Sequence, residues 1–182
     1  MWGTRIQGRT VTMRPIAESE LPLLLEWGAD SEVLRSAEVD YQAIAPSELK
    51  KWWERAGTDP ATFHWGLEHE GRLVGRTAIL YLDWQMRMAW TATQLGDPTA
   101  WEQGIAAETM ELRSEYAFRQ LGLHKLDSAC AEDSQGCREA HQRAGYREMA
   151  RLKEQLYRDG RWHDEILTEL VAEDWMRDHP TA

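Results

Sequence analysis

The stretch Trp101–Ala106 holds the residues whose types and spacing point most directly to chemistry. It lies between a predicted strand and the start of the clearest predicted helix. A helix N-terminus presents free backbone N–H groups and a partial positive charge, which together bind anions. Gly104 and Ala106 keep the surface thin enough for a phosphate to approach the backbone. The alternative is a purely structural helix start with Glu102 and Glu108 in its first turns, where helices favour acidic side chains.

Three ionisable side chains are candidates for proton transfer. His141 lies in a predicted helix, and histidine can act as a general acid because its pKa lies near neutrality. Asp83 ends a predicted strand and His64 lies near the start of another, so either is a candidate general base. Each has a structural or solvated surface role as its alternative, and base catalysis through water is also open.

The charge and the aromatic content narrow the class of ligand. The 182-residue chain carries 21 Lys and Arg against 31 Asp and Glu, a net charge of -10. Nucleic-acid phosphates bind clustered cations, so nucleic acid is a poor partner and a cationic or amine-bearing ligand is favoured. Of the ten tryptophans, several lie beside charged residues, Trp84 among them. They indicate a Trp-lined pocket, with ordinary core and surface packing as the alternative.

The cysteines and the apolar runs indicate a cytoplasmic protein. Cys130 and Cys137 are seven residues apart, without a further Cys or a paired His cluster. This spacing predicts reduced thiols, with neither a metal site nor a disulfide. The N-terminus lacks the apolar segment of a signal peptide. The longest apolar run near it, 21–25, is far shorter than the roughly 20 residues of a membrane span.

The order of the predicted elements indicates an α+β fold with a mixed sheet. Alternating apolar residues predict strands, and apolar stripes at helical spacing predict helices. Ser19 is one possible helix cap, Gly122 is placed as the stop of the central helix, and 29–45 is not assigned. Because no repeat or linker appears, we expect a single domain over 1–182. The predicted strands are 10–14, 62–68, 73–82, 88–95, 123–131, 147–157 and 163–171, and the predicted helices are 18–27, 46–56, 103–121 and 135–144.

Several short motifs follow one another along the chain in a familiar order. They are Gly71-Arg72-Leu73-Val74-Gly75, Trp101-Glu102-Gln103-Gly104-Ile105-Ala106-Ala107-Glu108, Tyr116-Ala117-Phe118, Leu121-Gly122-Leu123-His124-Lys125, Arg143-Ala144-Gly145-Tyr146, Asp159-Gly160 with Asp164, and Glu173-Asp174-Trp175. Together they resemble the GCN5-related N-acetyltransferase (GNAT) family, in particular its ribosomal-protein alanine acetyltransferase (RimJ/RimL-type) branch. The resemblance covers most of 9–175 and implies a GNAT fold, with a central sheet of about six to seven strands and helices on both faces.

The resemblance implies an enzyme that moves an acyl group from acetyl-CoA, or another acyl-CoA, to a primary amine by direct attack. It implies a splayed gap in the sheet near Gln94 and Leu95, where backbone amides would bind the thioester carbonyl and stabilise the oxyanion. Ser134 stands where the family commonly has Asn. The implied cofactor-binding residues are Gln94, Leu95, Trp101, Glu102, Gln103, Gly104, Ile105, Ala106, Ser134, Arg138 and Arg143.

The resemblance also gives the catalytic and acceptor positions. Thr91 stands where the branch often carries a carboxylate as general base, and His141 where a Tyr often protonates the leaving CoA thiolate. With Asp83 they form the candidate catalytic set, and no metal is implied. The candidate substrate-binding residues are Glu38, Asp40 and Trp84.

Three further residues depart from the family pattern. Trp101 and Glu102 replace the family's Gln or Arg and its Gly. A carboxylate beside a pyrophosphate repels it unless the side chain turns outward, and Glu102 filling the anion site itself is a further alternative. Arg113 falls in the buried arc of the central helix, where the family is apolar. We expect it to snorkel outward first, with a buried acid or a ligand carboxylate as alternative partners.

Two functions remain open ahead of a third, structural or partner-binding role, which only the tryptophans support and which ranks last. The first is an N-acyltransferase for a small-molecule amine, such as an amino acid, amino sugar or natural product, acting as a monomer or homodimer. A protein N-terminus is a further acceptor for this function. The second is a GNAT-fold protein with a degenerate CoA loop, which binds a small ligand or performs other chemistry. The residues Trp101, Glu102 and Thr91 favour this second function, since a fold does not fix a function.

Overall fold

The structure is an α+β fold built on one mixed sheet of eight strands. It is a computed structural model that describes residues 1–37 and 45–180, so the candidate substrate-binding residues Glu38 and Asp40 lie outside it. The strands are β1 (Ile6–Gln7), β2 (Thr12–Arg14), β3 (Phe63–His69), β4 (Arg72–Asp83), β5 (Met88–Leu95), β6 (Lys125–Ala131), β7 (Arg147–Arg158) and β8 (Arg161–Val171), and the helices are α1 (Leu21–Ala29), α2 (Ser31–Ser36), α3 (Pro46–Thr58), α4 (Ile105–Glu115), α5 (Gln135–Arg143) and α6 (Ala172–Asp178).

The sheet runs in the order β1-β2-β3-β4-β5-β6-β8-β7. All neighbouring pairs are antiparallel except β5 and β6, which are parallel. Parallel neighbours need a crossover connection, and α4 supplies it here. The predicted mixed sheet is therefore confirmed, with one strand more than expected because β1 adds a short edge. None of the described helices has the length and apolar character needed to cross a bilayer.

The tight turns form where the sequence predicts them. Glu70 and Gly71 join β3 to β4 with φ angles of 49° and 75°, and Asp159 and Gly160 join β7 to β8 with 52° and 77°. Two successive residues with positive φ match the twist of a two-residue hairpin. The helical run that begins with α4 continues as a π-helical turn to Gln120 and ends before Gly122, whose φ is 67°. Gly122 is thus confirmed as the helix stop.

Some local predictions are wrong. Ser19 does not cap α1, because a 3-10 turn over Glu18–Glu20 precedes that helix and the Glu20 carboxylate accepts the hydrogen bond from the Ala17 N–H at 2.8 Å. Helix α2 lies within 29–45, where the sequence pattern predicts no element. Asp30 begins it as the N-cap, since its carboxylate accepts hydrogen bonds from two N–H groups of the first turn.

Two apolar cores lie on opposite faces of the sheet. Leu73 belongs to the core beneath α1, α2 and α3, whereas its neighbour Val74 belongs to the core beneath α4 and α5. Successive residues of a strand point to opposite faces, so this split shows helices on both sides of the sheet. The parallel pair β5 and β6 lies in the middle of the sheet, between these two layers of helices.

A buried carboxylate ties the start of α4 to the turn before β2. Glu108 is only 7% exposed and accepts hydrogen bonds from the N–H groups of Arg9 and Thr10 and from the Thr10 hydroxyl. The Arg9 guanidinium lies 3.7 Å from the same carboxylate. Burial acts to raise the pKa of Glu108, but these hydrogen bonds outweigh it and hold the pKa below its usual value. Glu108 therefore serves the fold and faces away from the Trp101–Ala106 loop.

Replacing Glu108 by Gln is expected to lower the free energy of unfolding by about 2 kcal/mol at pH 7, because hydrogen bonds to a charged group are lost. The folded-state pKa is depressed, so the contribution is full above the unfolded pKa and is lost as pH falls through the folded pKa. Urea unfolding at pH 7 and near pH 3 checks this. Glu111→Gln is the matched control, since its carboxylate is 43% exposed. Equal losses in the two variants at pH 7 would contradict the assignment.

Candidate functional site

The parallel junction of β5 and β6 opens after three residue pairs. Met88 pairs with Lys125, and the last pair in the described ladder joins Trp90 to Asp127. Side chains bridge the next step, where the Thr91 hydroxyl donates to the Asp127 carbonyl and the Ser128 hydroxyl donates to the Thr91 carbonyl, both at 3.1 Å. The two strands then part toward the C-terminal end of β5, which gives a gap of the kind expected near Gln94 and Leu95.

The residues whose amides face this gap follow from strand geometry. The carbonyl of Thr91 points toward β6, because it accepts from Ser128. Backbone groups of a strand alternate between its two neighbours, so the N–H groups of Thr93 and Leu95 also point to the gap side. The backbone N–H of Gln94 points toward β4, and its side-chain Oε1 accepts a hydrogen bond from Arg76 Nε at 2.9 Å. The gap thus offers the amides of Thr93 and Leu95 rather than that of Gln94.

A cavity of about 280 Å³ lies along the gap, between β5, the start of α4 and α5. A second depression of about 470 Å³ continues from it over the first turns of α4 and α5. Leu95, Glu102 and Ala106 line both of them. The cavity is lined by Thr93, Leu95, Trp101, Glu102, Ala106, Met110, Ser134, Gly136, Cys137 and Ala140.

The N-terminus of α4 opens toward this space. Gly104 is the N-cap with a φ of 77°, and among the described residues no side chain caps the helix. The position of a Cβ on Gly104 would meet open space. The first N–H groups of α4 are therefore available to an anion, as the helix start predicts. Glu102 is exposed and does not cap the helix, so the alternative in which its carboxylate plugs the anion site is not what the structure shows.

The neighbours of Gly104 hold the loop in place. The Trp101 indole N–H donates to the Leu95 carbonyl at 3.2 Å, which ties the loop to the end of β5. The Gln103 side chain is exposed and donates to the Thr99 carbonyl at 2.6 Å. Ile105 is fully buried in the core beneath α4. Trp101 thus both shapes the cavity and fixes the loop.

Arg113 does not snorkel outward, and that first expectation is wrong. It is fully buried, and its Nη1 donates to the Thr77 and Thr93 hydroxyls at 2.8 Å and to the Ala92 carbonyl at 3.0 Å. Its Nη2 lies 3.3 Å from the Tyr146 hydroxyl. These bonds connect α4 to β4, β5 and the segment after α5. The guanidinium therefore fixes β5 at the place where it leaves β6.

His141 lies behind the cavity rather than in its wall. It is 2% exposed, and its Nδ1 donates to the Cys137 carbonyl at 3.0 Å and lies 3.6 Å from the Cys137 thiol. Cys137 lines the cavity, whereas His141 borders a separate depression that it shares with Arg138. Thr91 is fully buried at the point where the strands part, and its hydroxyl bridges to β6. The thiol of Cys137 is therefore the titratable group of α5 that reaches the cavity.

Two predicted site residues lie far from the cavity. Asp83 pairs with Met88 at one end of the β4–β5 hairpin, whereas the loop follows Leu95 at the other end. Its carboxylate accepts hydrogen bonds from two N–H groups of the hairpin turn, at 2.9 and 2.8 Å. Trp84, in the same turn, is 51% exposed. The eight residues of β5 separate the two ends of the hairpin, so the structure does not bring Asp83 or Trp84 to the gap.

The remaining candidates divide between the two faces. His64 packs against Trp52 on the face opposite α4, and burial, with the N-terminal ammonium and Arg76 nearby, lowers its pKa to about 4. Arg143 is exposed and borders the depression over the α4 start, and Ser134 lines the cavity. Arg143 and Ser134, both predicted cofactor contacts, therefore border the space beside the α4 start, whereas His64 does not.

Sequence reasoning missed several cavity residues. Thr93, Met110, Gly136, Cys137 and Ala140 all line the cavity. Their common signal is position: they lie at the end of a strand or on one face of a helix that flanks the loop. Cys137 and Ala140 are three residues apart and therefore share a helix face. Applied to 135–144, that spacing would have identified them.

Comparisons with known proteins bear on the family and the fold of this chain. The family model described as Acetyltransferase (GNAT) domain matches residues 10–147. A curated Bacillus subtilis (strain 168) protein named "Putative ribosomal N-acetyltransferase YdaF" is 25% identical over 154 residues, covering 82% of this chain and 79% of that protein.

Solved structures show the same fold. The spermidine N-acetyltransferase from Vibrio cholerae, in complex with CoA and spermine, superposes with a TM-score of 0.82 at 17% identity, covering 92% of this chain and 98% of its own. An acetyltransferase (GNAT family) from Bacillus anthracis superposes with a TM-score of 0.76 at 16% identity, covering 93% and 99%. At these identities the superpositions bear on the fold alone.

Proposed function

The chain belongs to the GNAT acetyltransferase domain family and is an acyl-CoA-dependent N-acyltransferase, and from that premise we propose that it transfers the acetyl group of acetyl-CoA to a small cationic primary amine. The resemblance to the GNAT family drawn from the motifs is confirmed by the family match. The observation that carries the proposal is the uncapped N-terminus of α4, which opens on the cavity beside the parting strands.

The donor site extends from the α4 start into the cavity. The N–H groups of the first turn of α4 bind the pyrophosphate, because they carry partial positive charge and no side chain among the described residues caps them. Arg143, which borders the same depression, adds a positive charge for the phosphates. The mostly apolar cavity then accepts the chain that leads to the thioester, between Leu95, Met110 and Ala140.

The reacting carbonyl lies at the gap between β5 and β6. The N–H groups of Thr93 and Leu95 point to this gap, and a thioester oxygen bound there gains negative charge when the amine attacks. Preorganised backbone donors stabilise that charge in the transition state. The amine must be neutral to attack, and it loses one of its two N–H protons, directly or through water, as the C–N bond forms.

Departure of the CoA thiolate needs a proton, and Cys137 with His141 supplies it in this proposal. The Cys137 thiol lines the cavity and lies 3.6 Å from His141 Nδ1. A thiol in the cavity wall can protonate the leaving sulfur, and His141 Nδ1 can return a proton to Cys137 as Nε2 takes up the proton that the amine releases. His141 thus keeps its predicted part in catalysis, acting through its neighbour. Thr91 holds the strands that carry the oxyanion donors and has no titrating role.

The proposed acceptor is a small polycation or other amine. The net charge of -10 attracts cationic molecules to the protein. The structural likeness to a spermidine N-acetyltransferase supports a polyamine, and the sequence likeness to YdaF supports a protein N-terminus. We place the small amine first, because the acidic charge acts on free polyamines in solution at long range. Glu38 and Asp40 remain the proposed contacts for its ammonium groups.

Purified protein is expected to release CoA from acetyl-CoA when spermidine or spermine is added, with one acetylamide formed for each thiol released. A thiol-release assay with mass spectrometry of the product checks this, and a peptide with a free N-terminal alanine serves as the competing acceptor. Acetyl-CoA binding without transfer to any amine would favour the second function, ligand binding on a degenerate loop.

In the same assay, His141→Phe should reduce kcat more than KM if the proton route is right. Circular dichroism checks that the variant is folded. Unchanged kcat with intact folding would remove His141 from the reaction, while the assignment of the donor site would stand.

Glu102 weakens donor binding in this proposal, and its backbone is also strained. Its φ is 60°, a left-handed conformation that costs a non-glycine residue about 1 kcal/mol. Its exposed carboxylate lines the cavity and the depression where the phosphates bind. The family's Gly at this position relieves both effects, which gives a physical reason for that preference.

Glu102→Gln should therefore tighten acetyl-CoA binding by roughly fivefold, the size expected for one exposed charge. Glu102→Gly should match that gain and also raise the free energy of unfolding by about 0.5–1 kcal/mol. Calorimetric titration and urea unfolding of both variants separate the charge from the backbone effect. An unchanged affinity in both would mean that the carboxylate is directed away from the bound phosphates.

A further inference from the structure

Two thiols and an imidazole meet beside the donor cavity. Cys130 lies on β6, and Cys137 and His141 lie on the face of α5 that packs against it. They are 0%, 7% and 2% exposed. Their ligand atoms all lie within 4.8 Å of one another. The donor site described above does not use Cys130.

The arrangement follows from the helix and the strand together. Residues four apart on a helix project from the same face, so Cys137 and His141 converge on one point of β6. The distance from Cys137 Sγ to His141 Nδ1 is 3.6 Å. Two ligands of one tetrahedral zinc ion are separated by about 3.5 Å, given Zn–S of about 2.3 Å and Zn–N of about 2.0 Å. The cluster therefore needs little movement to close around such an ion.

The charge of the cluster also suits zinc. Two thiolates and one Zn²⁺ sum to zero, so the loaded site avoids the large cost of burying an uncompensated charge. Thiolate and imidazole ligands favour zinc over magnesium or calcium, which take oxygen ligands. Three protein ligands leave a fourth position open, as in sites that hold a water or a substrate sulfur. Cys137 also lines the donor cavity, so the metal would lie in its wall.

We propose that Cys130, Cys137 and His141 form a zinc site whose occupation blocks acyl transfer. Binding releases the thiol protons of Cys130 and Cys137 to solvent and uses His141 Nδ1, which now donates to the Cys137 carbonyl, so the Nδ1 proton moves to the other ring nitrogen. The zinc-loaded pair can then no longer protonate the leaving thiolate. The blocking effect rests on the proposed function, whereas metal binding does not.

The test uses untagged protein, reduced and stripped of metal, and titrates it with Co²⁺ without CoA or amine. We expect one equivalent of Co²⁺ to give an intense thiolate-to-cobalt charge-transfer band, and one equivalent of Zn²⁺ to remove it. Cys130→Ser, Cys137→Ser and His141→Phe should each weaken zinc binding by about 100-fold or more, since each removes a direct ligand. His124→Phe is the control, because His124 is exposed and lies outside the cluster, and its affinity should equal that of the native chain.

Circular dichroism and thermal unfolding establish that each variant is folded, and alanine replaces serine wherever the serine variant is not. Absence of the charge-transfer band, or zinc affinity that survives loss of both thiols, would overturn the site. Zinc binding with full acyl transfer at one equivalent would overturn the block. If no amine is acetylated under any condition while zinc binds as expected, the transferase proposal fails and the metal site stands.

Discussion

Ala106→Glu is expected to reduce acetyl-CoA affinity by about 100-fold while leaving the fold intact or slightly more stable. Ala106 is the second residue of α4 and lines both the cavity and the depression over the helix start. A carboxylate there lies among the N–H groups of the proposed pyrophosphate site. Two unit charges about 6 Å apart near a protein surface repel by about 3 kcal/mol, which corresponds to about 100-fold in binding.

The stability change should have the opposite sign, which makes the test specific. An acidic side chain in the first turn of a helix stabilises it by about 0.3–1 kcal/mol. Ala106→Gln controls for size without charge and should change the affinity only a few-fold. Ser47→Glu places the same charge in the first turn of α3 and should leave the affinity unchanged. Calorimetric titration and urea unfolding of the three variants check this, and equal affinity for Ala106→Glu and the native chain would rule out the α4 start as the anion site.

Arg113→Met is expected to lower the free energy of unfolding by about 3 kcal/mol, the largest effect of any single substitution proposed for this chain. Methionine fills a similar length but cannot donate to the Ala92 carbonyl or to the hydroxyls of Thr93 and Tyr146. Those groups stay buried, and only part of the loss is recovered by the hydrogen bond between the Thr77 and Thr93 hydroxyls at 3.1 Å. Because β5 loses its anchor at the gap, the KM for acetyl-CoA should also rise.

Urea unfolding of Arg113→Met, with Arg138→Met as the matched control, checks this second prediction. Arg138 is an exposed arginine of α5 outside the donor cavity, and its loss should cost less than about 0.5 kcal/mol. Arg113→Lys keeps the charge but not the planar fork of donors, so its free energy of unfolding should lie between that of Arg113→Met and that of the native chain. A Met variant as stable as the native chain would mean that a buried apolar residue serves this position equally well.

Most strands, helices and turns that depend on residues close together in sequence were predicted from the local sequence pattern. β5 was predicted at 88–95, and the Glu70–Gly71 turn at the place where positive φ is observed. Both signals lie within a few residues of the feature that they predict. The short strand β1 was not predicted, because its two residues carry no periodic pattern and form a strand only by pairing with β2. The Asp30 cap of α2 was missed because the apolar signal around it is mixed.

The site was predictable where it depends on one segment and not where distant segments meet. The α4 start and Gly104 followed from a strand, a glycine and a helix in sequence. The burial of Arg113 depends on threonines of β4 and β5, which no spacing along the chain reveals. The clustering of Cys130 with His141 depends on how α5 packs against β6. Sequence patterns for metal ligands require Cys and His at characteristic short spacings, so they do not identify this cluster.

The three residue pairs between β5 and β6 have a consequence for how the molecule comes apart. They are the only direct strand pairing, in the described sheet, between the five strands before α4 and the three after it. In the proposed site, a donor molecule lying in the cavity contacts the end of β5 on one side and α5, which follows β6, on the other, and so links the two groups of strands. At a hundredfold excess over Kd it would add about 2.7 kcal/mol to the free energy of unfolding. Bound donor thus makes the two groups of strands unfold more cooperatively. Each turnover removes this contribution to the free energy of unfolding until the next donor binds.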